Sequence, residues 1–485
     1  MTEASKPLPL VFDLDGTLIR NDLTHELLVL CMRWYPHLFL LAIFQLIRSR
    51  SGGKRWLVER VGDHIHAEHL PYSATALDLI EAHRKTGGDV ELVSGSDHEL
   101  VERIASHLGV FSHAKGSTPP TNLVSSRKAD HVAERHPDGF QYAGNSNQDI
   151  TVWRESKGGY GFNAPSRAFR LKRADDTPIE LVRIVEGSGP WRALLKAMRP
   201  HQWMKNLLIF MVPCLVISQL GWINGIEVIA GFLCLSLLAS GTYIINDLFD
   251  IPDDRKHPSK QKRPLASGSL SVPLAGVAAL SLVLGSLIGA FFLDITFGFV
   301  AASYTVITLA YSFRLKRIVV VDVMVLSCLF GVRVVAGAIL VNAPPSIWLL
   351  TFIGMFFLSL ALTKRYVEVV KMAQKGLVSG RGYRSDDAPV LLAFGVACAV
   401  GSVIAFLTYG LLADVRVIEN SGIVLSLAGV LIAWLMRLWL LTARGEMNDD
   451  PVLFAVKDRT SLLTLMLLTS LVLFETSRPV WQSLF

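Results

Sequence analysis

The sequence predicts a multi-domain protein, an N-terminal α/β domain followed by an all-α integral-membrane bundle of nine transmembrane helices. Three observations carry this. Hydropathy is uneven along the 485 residues: roughly the first 190 read as a soluble domain, and spanning-length apolar runs recur from about Asn206 onward. A short apolar strand, residues 8–12, ends in Asp13-Leu14-Asp15-Gly16-Thr17, the pattern of a short buried strand with carboxylates at its end. The loops between apolar runs alternate between basic and nearly charge-free, as the two sides of a membrane require.

The expected boundaries are a soluble domain over residues 1–165, a linker over 166–191, and the membrane domain over 192–485. The linker is polar and mixed in charge, with Gly187, Gly189 and Pro190 near its end. The nine expected spans are 206–222, 225–246, 273–293, 295–313, 319–341, 346–363, 388–413, 421–442 and 461–479. Loop 247–272 carries five Lys or Arg, 314–317 three and 364–387 six, and 443–460 holds Arg444, Lys457 and Arg459. The positive-inside bias then puts these loops and the N-terminal domain in the cytosol at the inner membrane, with Phe485 on the opposite side. The polar opening of the chain, with no signal peptide, agrees with a cytosolic first domain. Residues 27–50 form a further apolar stretch, broken by Arg33, Pro36 and His37, that reads as a cap helix touching the bilayer surface rather than as a span.

The formal charge of +6 is concentrated in the membrane-half loops, a topology signal that calls for no nucleic acid. Five cysteines, Cys31, Cys214, Cys234, Cys328 and Cys398, lack metal-ligand spacing and read as small buried residues.

The acidic stretch Asn246-Asp247-Leu248-Phe249-Asp250-Ile251-Pro252-Asp253-Asp254 directly follows an apolar run. Offsets of three and four residues put Asp247, Asp250 and Asp254 on one helical face. Carboxylates converging at a membrane boundary need a partner, and hard oxygen ligands suit Mg²⁺ shared with substrate phosphates. Arg255, Lys256, Lys260, Lys262 and Arg263 follow as anion clamps. The competing reading is a solvated acidic loop.

In the first domain, Asp13 and Asp15 are placed to act as nucleophile and general acid, with Gly16 permitting a tight turn. A second strand, 89–93, ends in Ser94-Gly95-Ser96-Asp97, where a hydroxyl can hold a phosphate. Lys128 can balance that charge. A third strand, 140–143, ends in Gly144-Asn145-Ser146-Asn147-Gln148-Asp149, which offers oxygens to a metal.

These four stations, over about residues 8–165, resemble the haloacid-dehalogenase-like (HAD) phosphatase superfamily, with its Rossmann-like fold. The resemblance implies Asp13 as the phosphorylated nucleophile, Asp15 as acid/base, Ser94 and Lys128 as phosphate binders, and Asp149 with Asp13 and Asp15 around Mg²⁺. Asn145 stands where the family usually has an acid. Two readings follow, a slower phosphatase or a scaffold kept for docking.

The acidic pattern at 246–254, on nine spans over residues 192–485, resembles the UbiA superfamily of intramembrane prenyltransferases, in which this motif binds Mg²⁺ and the donor's pyrophosphate. Four further stretches resemble the branch that transfers phosphoribose from phosphoribosyl pyrophosphate to a polyprenyl phosphate, the decaprenyl-phosphate phosphoribosyltransferases of cell-wall arabinose synthesis. They are Arg199-Pro200-His201-Gln202-Trp203-Met204-Lys205-Asn206, Tyr311-Ser312-Phe313-Arg314-Leu315-Lys316, Lys364-Arg365-Tyr366-Val367-Glu368 and Arg381-Gly382-Tyr383-Arg384-Ser385-Asp386-Asp387. The resemblance implies Asp247, Asp250 and Asp254 as catalytic metal ligands. It implies Lys205, Asn206, Asn246, Tyr311, Lys316, Lys364, Arg365, Glu368, Arg381 and Tyr383 as substrate contacts. The quinone branch commonly carries a second Asp-x-x-x-Asp after span six; here that loop offers Glu368, Asp386 and Asp387 with more bases, which suits a donor bearing an extra phosphate.

Plainer readings stand beside these. Lys205 and Arg199 anchor a helix end, Trp203 and Tyr311 are interfacial belt residues, Lys316 and Arg317 are positive-inside charges, and Glu368 is a helical partner of Lys364. Asp449, Asp450, Asp458 and Arg459 read as a solvated loop. Arg333, inside span five, is a functional candidate because charge is costly there. Two other functions compete: an aromatic prenyltransferase moving a polyprenyl group from its diphosphate to a hydroxybenzoate-like ring, and a lipid carrier with a docking domain. Charges clustered at one face favour an enzyme over a carrier, whose midplane would need them. Oligomeric state is open.

Overall fold

The structure is a computed structural model that describes residues 7–173, 176–187, 189–216, 222–374, 382–412, 420–447 and 451–482. In chain order, strand β1 (Leu10–Phe12) leads to helices α1 (Leu23–Trp34), α2 (Phe39–Arg48), α3 (Arg50–Val61) and α4 (Ala74–Lys85). Next come β2 (Val90–Asp97), α5 (His98–Leu108), β3 (His113–Ser117), α6 (Ser126–Arg135), β4 (Gln141–Gly144), α7 (Ile150–Glu155), β5 (Gly159–Phe162) and β6 (Leu181–Ile184). The rest is helical: α8 (Pro190–Met198), α9 (Met211–Leu215), α10 (Trp222–Phe249), α11 (Ile251–Lys256), α12 (Val272–Leu293), α13 (Ile295–Phe313) and α14 (Val321–Leu340). The last are α15 (Ile347–Gln374), α16 (Ala388–Leu412), α17 (Ser421–Ala443), α18 (Pro451–Lys457) and α19 (Arg459–Gln482). The chain forms two compact units, one of Met1–Met198 with Tyr243–Leu280, the other of Arg199–Thr242 with Ser281–Phe485.

The first unit is built on a six-stranded sheet ordered β3-β2-β1-β4-β5-β6. All its pairings are parallel, with Leu10 opposite both Val90 and Gln141. Period-2 alternation splits β1 between two cores: Leu10 and Phe12 pack with Leu92, Leu27 and Leu57, and Val11 packs with Val93, Tyr142 and Trp153 on the other face. Covering both faces is what makes the central strand continuously apolar. The carboxyl ends of β1, β2 and β4 are thereby brought together, where an open α/β sheet presents its ligand site. The expected linker 166–191 is corrected in part, because residues 181–184 pair with β5 as the sheet's sixth strand. That strand is mostly exposed and carries Arg183, so its sequence lacks the apolar run by which a buried strand is read.

Among the described residues, seven helices are long and apolar enough to cross a membrane. They are Ile223–Phe249, Val272–Leu293, Ile295–Phe313, Val321–Leu340, Ile347–Ala373, Ser385–Leu411 and Ser421–Ala443. They match seven of the nine expected spans. Along α12, Leu280, Leu284, Ile288 and Phe292 recur every four residues and are all exposed, a lipid-facing stripe. Of the expected span 206–222, the described part is the end of a 3₁₀ helix, Pro200–Phe210, and the five-residue α9; residues 217–221 lie outside the described residues. The ninth falls on α19, of which Arg459–Leu471 counts as a shorter apolar helix.

A polar anchor holds the segment 200–210 to its neighbours. Buried Asn206 donates from Nδ2 to the Ser236 hydroxyl (3.1 Å), and its Oδ1 accepts from Arg333 Nε (2.7 Å). Arg333 also donates to the Tyr304 hydroxyl (3.0 Å) and to the carbonyl of Leu329. Gly337 lets the segment approach α14, because a Cβ there would lie 1.8 Å from the Ile209 carbonyl oxygen. Small residues at such crossings let membrane helix backbones touch.

Candidate functional site

A cavity of about 510 Å³ lies over the carboxyl ends of β1 and β4 and is lined by Asp13, Asp15, Lys128, Asn145 and Asp149. Four of the sequence-predicted residues therefore meet in one place. Lys128 Nζ donates to Asp13 Oδ1 (2.8 Å) and to the Tyr142 hydroxyl (3.1 Å), and lies 3.6 Å from Asp149 Oδ1. Asp149 is buried and over-determined: its Oδ1 accepts from Tyr142 Oη, and its Oδ2 accepts from the backbone N–H of Asn145 and Ser146 and from the Ser146 hydroxyl. Asp15 accepts from the backbone N–H of Leu23 (2.9 Å) and from the Ser96 hydroxyl (2.5 Å). Gly16, at φ 73°, makes the turn after β1, and any side chain there would collide with the Asn145 amide.

Electrostatics sorts these acids. Burial, opposed by Lys128, pushes Asp13 up to about 6. Burial, reinforced by Asp22 and Asp13, pushes Asp15 up to about 8, so Asp15 holds a proton at neutral pH. Burial would raise Asp149 too, but Lys128 and the hydroxyls of Tyr142 and Ser146 hold it below its ordinary value. Two neighbouring carboxyls with separated affinities are the arrangement a nucleophile and a general acid need. Asp13 and Asp149 already enclose an ammonium, so their oxygens fit a divalent cation at the same place.

Ser94 departs from expectation. It is fully buried, its hydroxyl accepts the Ser96 N–H (3.1 Å), and it is absent from the cavity wall, where Gly95 stands instead. Ser96, one alternation further along, reaches Asp15. Sequence reasoning also missed Lys54 of α3, which lines the cavity and donates to the Gly95 carbonyl (2.6 Å). Burial pulls its ammonium below the ordinary value, against the pull of Asp15, Asp22 and Asp13. No local pattern marks Lys54, since α3 belongs to an insertion between β1 and β2. Ser271, Val272 and Pro273, at the start of the apolar helix α12, form a further part of the wall.

The acidic stretch lies in the same unit. α10 ends at Phe249, Asp250 accepts the next turn by receiving the Asp254 N–H (2.8 Å), and the near-helical path keeps the expected facing. Asp247 and Asp254 are both buried and close on one nitrogen, Arg263 Nη1, at 3.0 and 2.7 Å. Asp250 takes the Asn246 amide (2.9 Å). Burial, against the pull of Arg263, pushes Asp254 up to about 6. Two buried carboxylates aimed at one cationic point fit Mg²⁺. Among the described residues no three His, Cys, Asp or Glu form a complete cage, so the ion's remaining positions would fall to substrate oxygens and water.

The clamp is tied into the first domain. Arg255, next to Asp254, forms a bidentate pair with Glu26 of α1 (2.9 and 2.5 Å), and its Nε donates to the Ala266 carbonyl. Asn21 donates to Glu26 (2.7 Å) and to the Leu265 carbonyl (3.3 Å). Neither Glu26 nor this use of Arg255 was visible in the motif, because the partners lie far apart in the chain.

In the second unit, Lys205 sits in the 3₁₀ helix, Lys316 in the turn after α13, Tyr311 near the end of α13 and Lys364 in α15; all four are half-buried and engaged. Asn206 and Arg333 serve the anchor described above. Arg365 is fully buried, 2.7 Å from Asp322 Oδ2 and paired with Glu368. Tyr383 donates to Asp322 Oδ1 (2.6 Å) and receives the Val320 N–H. The expected contacts Arg365, Glu368 and Tyr383 thus meet around Asp322, a residue the motif reading passed over. Asp458 pairs with Arg437 (2.7 and 3.0 Å) and caps α19 through Ser461, rather than facing solvent alone. Arg381, Asp449 and Asp450 lie outside the described residues.

Comparison with known proteins finds two families along the chain. The profile of the UbiA prenyltransferase family matches residues 207–470, and that of haloacid dehalogenase-like hydrolases matches 10–154. A Sinorhizobium fredii protein described as "Uncharacterized protein y4nM" is 38% identical over 468 residues, covering 94% of this chain and 89% of its own. Nodulation protein NoeC of Azorhizobium caulinodans is 32% identical over 57% of this chain and 91% of its own. The decaprenyl-phosphate phosphoribosyltransferase of Mycobacterium tuberculosis is 31% identical over 55% of this chain and 88% of its own. With its helical half matched over most of its length and a hydrolase-like sheet domain ahead of it, the chain belongs to the UbiA prenyltransferase family and carries an N-terminal HAD domain.

Proposed function

We propose that the membrane half transfers phosphoribose from phosphoribosyl pyrophosphate to a polyprenyl phosphate, and that the HAD domain then removes the 5-phosphate of the product. The observation that carries the first step is the convergence of Asp247 and Asp254 on one cationic point beside a basic loop, in a chain related to a decaprenyl-phosphate phosphoribosyltransferase. An oxygen of the lipid phosphate attacks the anomeric carbon, the bond to pyrophosphate breaks, and the pyrophosphate leaves with the electron pair. Asp247 and Asp254, with Asp250 beside them, would hold Mg²⁺, which would supply positive charge against the departing pyrophosphate. Lys205, Lys316, Lys364 and Arg381 serve as phosphate contacts, with Asn246 and Tyr311 as polar ones. Arg365, Glu368 and Tyr383 act through the Asp322 network. The basic loops face the cytosol.

In the second step Asp13 attacks phosphorus, Asp15 protonates the leaving ribose oxygen, and Asp15 then takes a proton from the water that hydrolyses phospho-Asp13. Lys128 and Lys54 bind the phosphate, and Mg²⁺ held by Asp13 and Asp149 would screen its charge. The wall formed by Ser271–Pro273, at the head of a membrane helix, supports a lipid-linked substrate.

The test is purified protein supplied with ring-labelled phosphoribosyl pyrophosphate and polyprenyl phosphate. The expected product is lipid-linked label without its 5-phosphate in the native chain, and with it in Asp13→Asn. Label that keeps the 5-phosphate in both would refute the hydrolase step. The acid also sets a pH signature. Asp15 works protonated, so hydrolysis should fall as pH rises through about 8. The Ser96 hydroxyl stabilises the ionised form, so Ser96→Ala should move that alkaline limb to higher pH; a limb that stays in place would dissociate it from Asp15.

A further inference from the structure

Helix α2 buries Ala42 and Leu46 on one face and presents Leu40, Leu41, Phe44 and Ile47 on the other. Leu40 and Ile47 are 78% and 76% exposed. Spacings of three and four residues align the four into one continuous apolar stripe. Trp34 and Tyr35, just ahead of the helix, are exposed as well, and Arg48 and Arg50 stand exposed at its far end. A stripe of large apolar groups with aromatic and basic flanks is the composition of a helix lying in a membrane interface.

A tether in the same unit says what covers it. Arg33, in the last turn of α1, donates to the Phe249 carbonyl (2.6 Å) and to Asp253 (2.8 Å). Phe249 is the last residue of the apolar helix Ile223–Phe249. The C-terminal end of α1 is therefore hydrogen-bonded to the end of a membrane-crossing helix, where that helix meets the headgroups. A single 3₁₀ turn, Pro36–Leu38, joins α1 to α2, so the chain folds back at once and α2 starts close to the tether.

We propose that α2 is seated in the headgroup–acyl boundary of the bilayer that α10 crosses, its apolar stripe toward the acyl chains and Arg48 and Arg50 against anionic lipid phosphates. The tether and the aromatic and basic flanks favour lipid over a second copy of the chain. The seat has a consequence for the hydrolase cavity. α3 follows α2 directly and carries Lys54 into the wall, so membrane contact positions a cavity residue. The inference holds whichever pyrophosphate donor the transferase uses.

The test uses the full chain, with its five native cysteines replaced, reconstituted in vesicles of phosphatidylcholine and phosphatidylglycerol. A nitrobenzoxadiazole fluorophore is attached at Phe44→Cys, at Ile47→Cys, or at exposed Lys85→Cys as control. The expected result is quenching of the probes at 44 and 47 by nitroxide-labelled lipid with protection from aqueous iodide, and the reverse at 85. Quenching by iodide at 44 and 47 as strong as at 85 would overturn the proposal. So would protection that disappears when the protein is diluted into excess lipid, because a second copy would then be the cover. Using two positions guards against one variant misfolding.

Discussion

Asp254→Asn and Asp247→Asn are each expected to lower glycosyl transfer by about a hundredfold or more, the scale at which one preorganised electrostatic contact to a developing anion is felt. Hydrolysis of a small soluble phosphate ester by the same preparations should stay near the native rate. The two carboxylates are buried and meet at a single guanidinium nitrogen, so each contributes to one cationic position. Asparagine keeps the shape and an oxygen but removes the charge that a departing pyrophosphate needs countered through the metal. The readouts are label transferred to lipid and turnover of p-nitrophenyl phosphate. Equal loss of both activities would mean that the substitutions disturb the first unit as a whole, and retained transfer would remove the acidic stretch from the reaction.

The second large effect is expected at Glu26 and Arg255. Breaking a buried ion pair by removing one partner costs about 3–5 kcal/mol, because the other charge is stranded. Glu26→Ala should therefore lower the unfolding midpoint of the first unit clearly, and it should lower both activities. The reason is geometric: Glu26 lies on the helix whose first N–H binds Asp15, and Arg255 adjoins Asp254, so one pair braces both sites. Glu26→Leu combined with Arg255→Leu should recover much of the stability, since apolar replacement of a whole buried pair is often neutral. If the double variant regained stability but neither activity, the polar pair itself would be required for positioning; additive losses in the double variant would mean the pair does not act as a unit.

The parts of this protein that were legible in the sequence are those whose signal is local. An apolar strand running into Asp13 and Asp15, a helix end offering acids at offsets of three and four, and long apolar runs all carry their meaning within a few residues. Seven of those runs are helices of spanning length. The illegible parts depend on partners distant in the chain. Asn206 reads as a substrate contact beside Lys205, and only the fold shows that its side chain also ties the 3₁₀ segment to Ser236 and Arg333. Ser94 and Ser96 share a side of a regularly pleated strand, so only their positions along it, past the register shift between Val93 and Asp97, show which one reaches Asp15. Arg365 and Tyr383 read as clamps because Asp322, their partner, stands far away in the sequence at the start of a mostly apolar helix. β6 escaped notice because Arg183 interrupts its short apolar run and it lies in a polar, Gly-containing stretch.

The central claim is that the lipid is the acceptor and a phosphorylated sugar the donor. It is tested most directly by measuring pyrophosphate release from purified protein with Mg²⁺ under two substrate pairs. The account predicts release from phosphoribosyl pyrophosphate with polyprenyl phosphate, dependent on Asp247 and Asp254. Release instead from a polyprenyl diphosphate with an aromatic acid, and none from phosphoribosyl pyrophosphate, would contradict it.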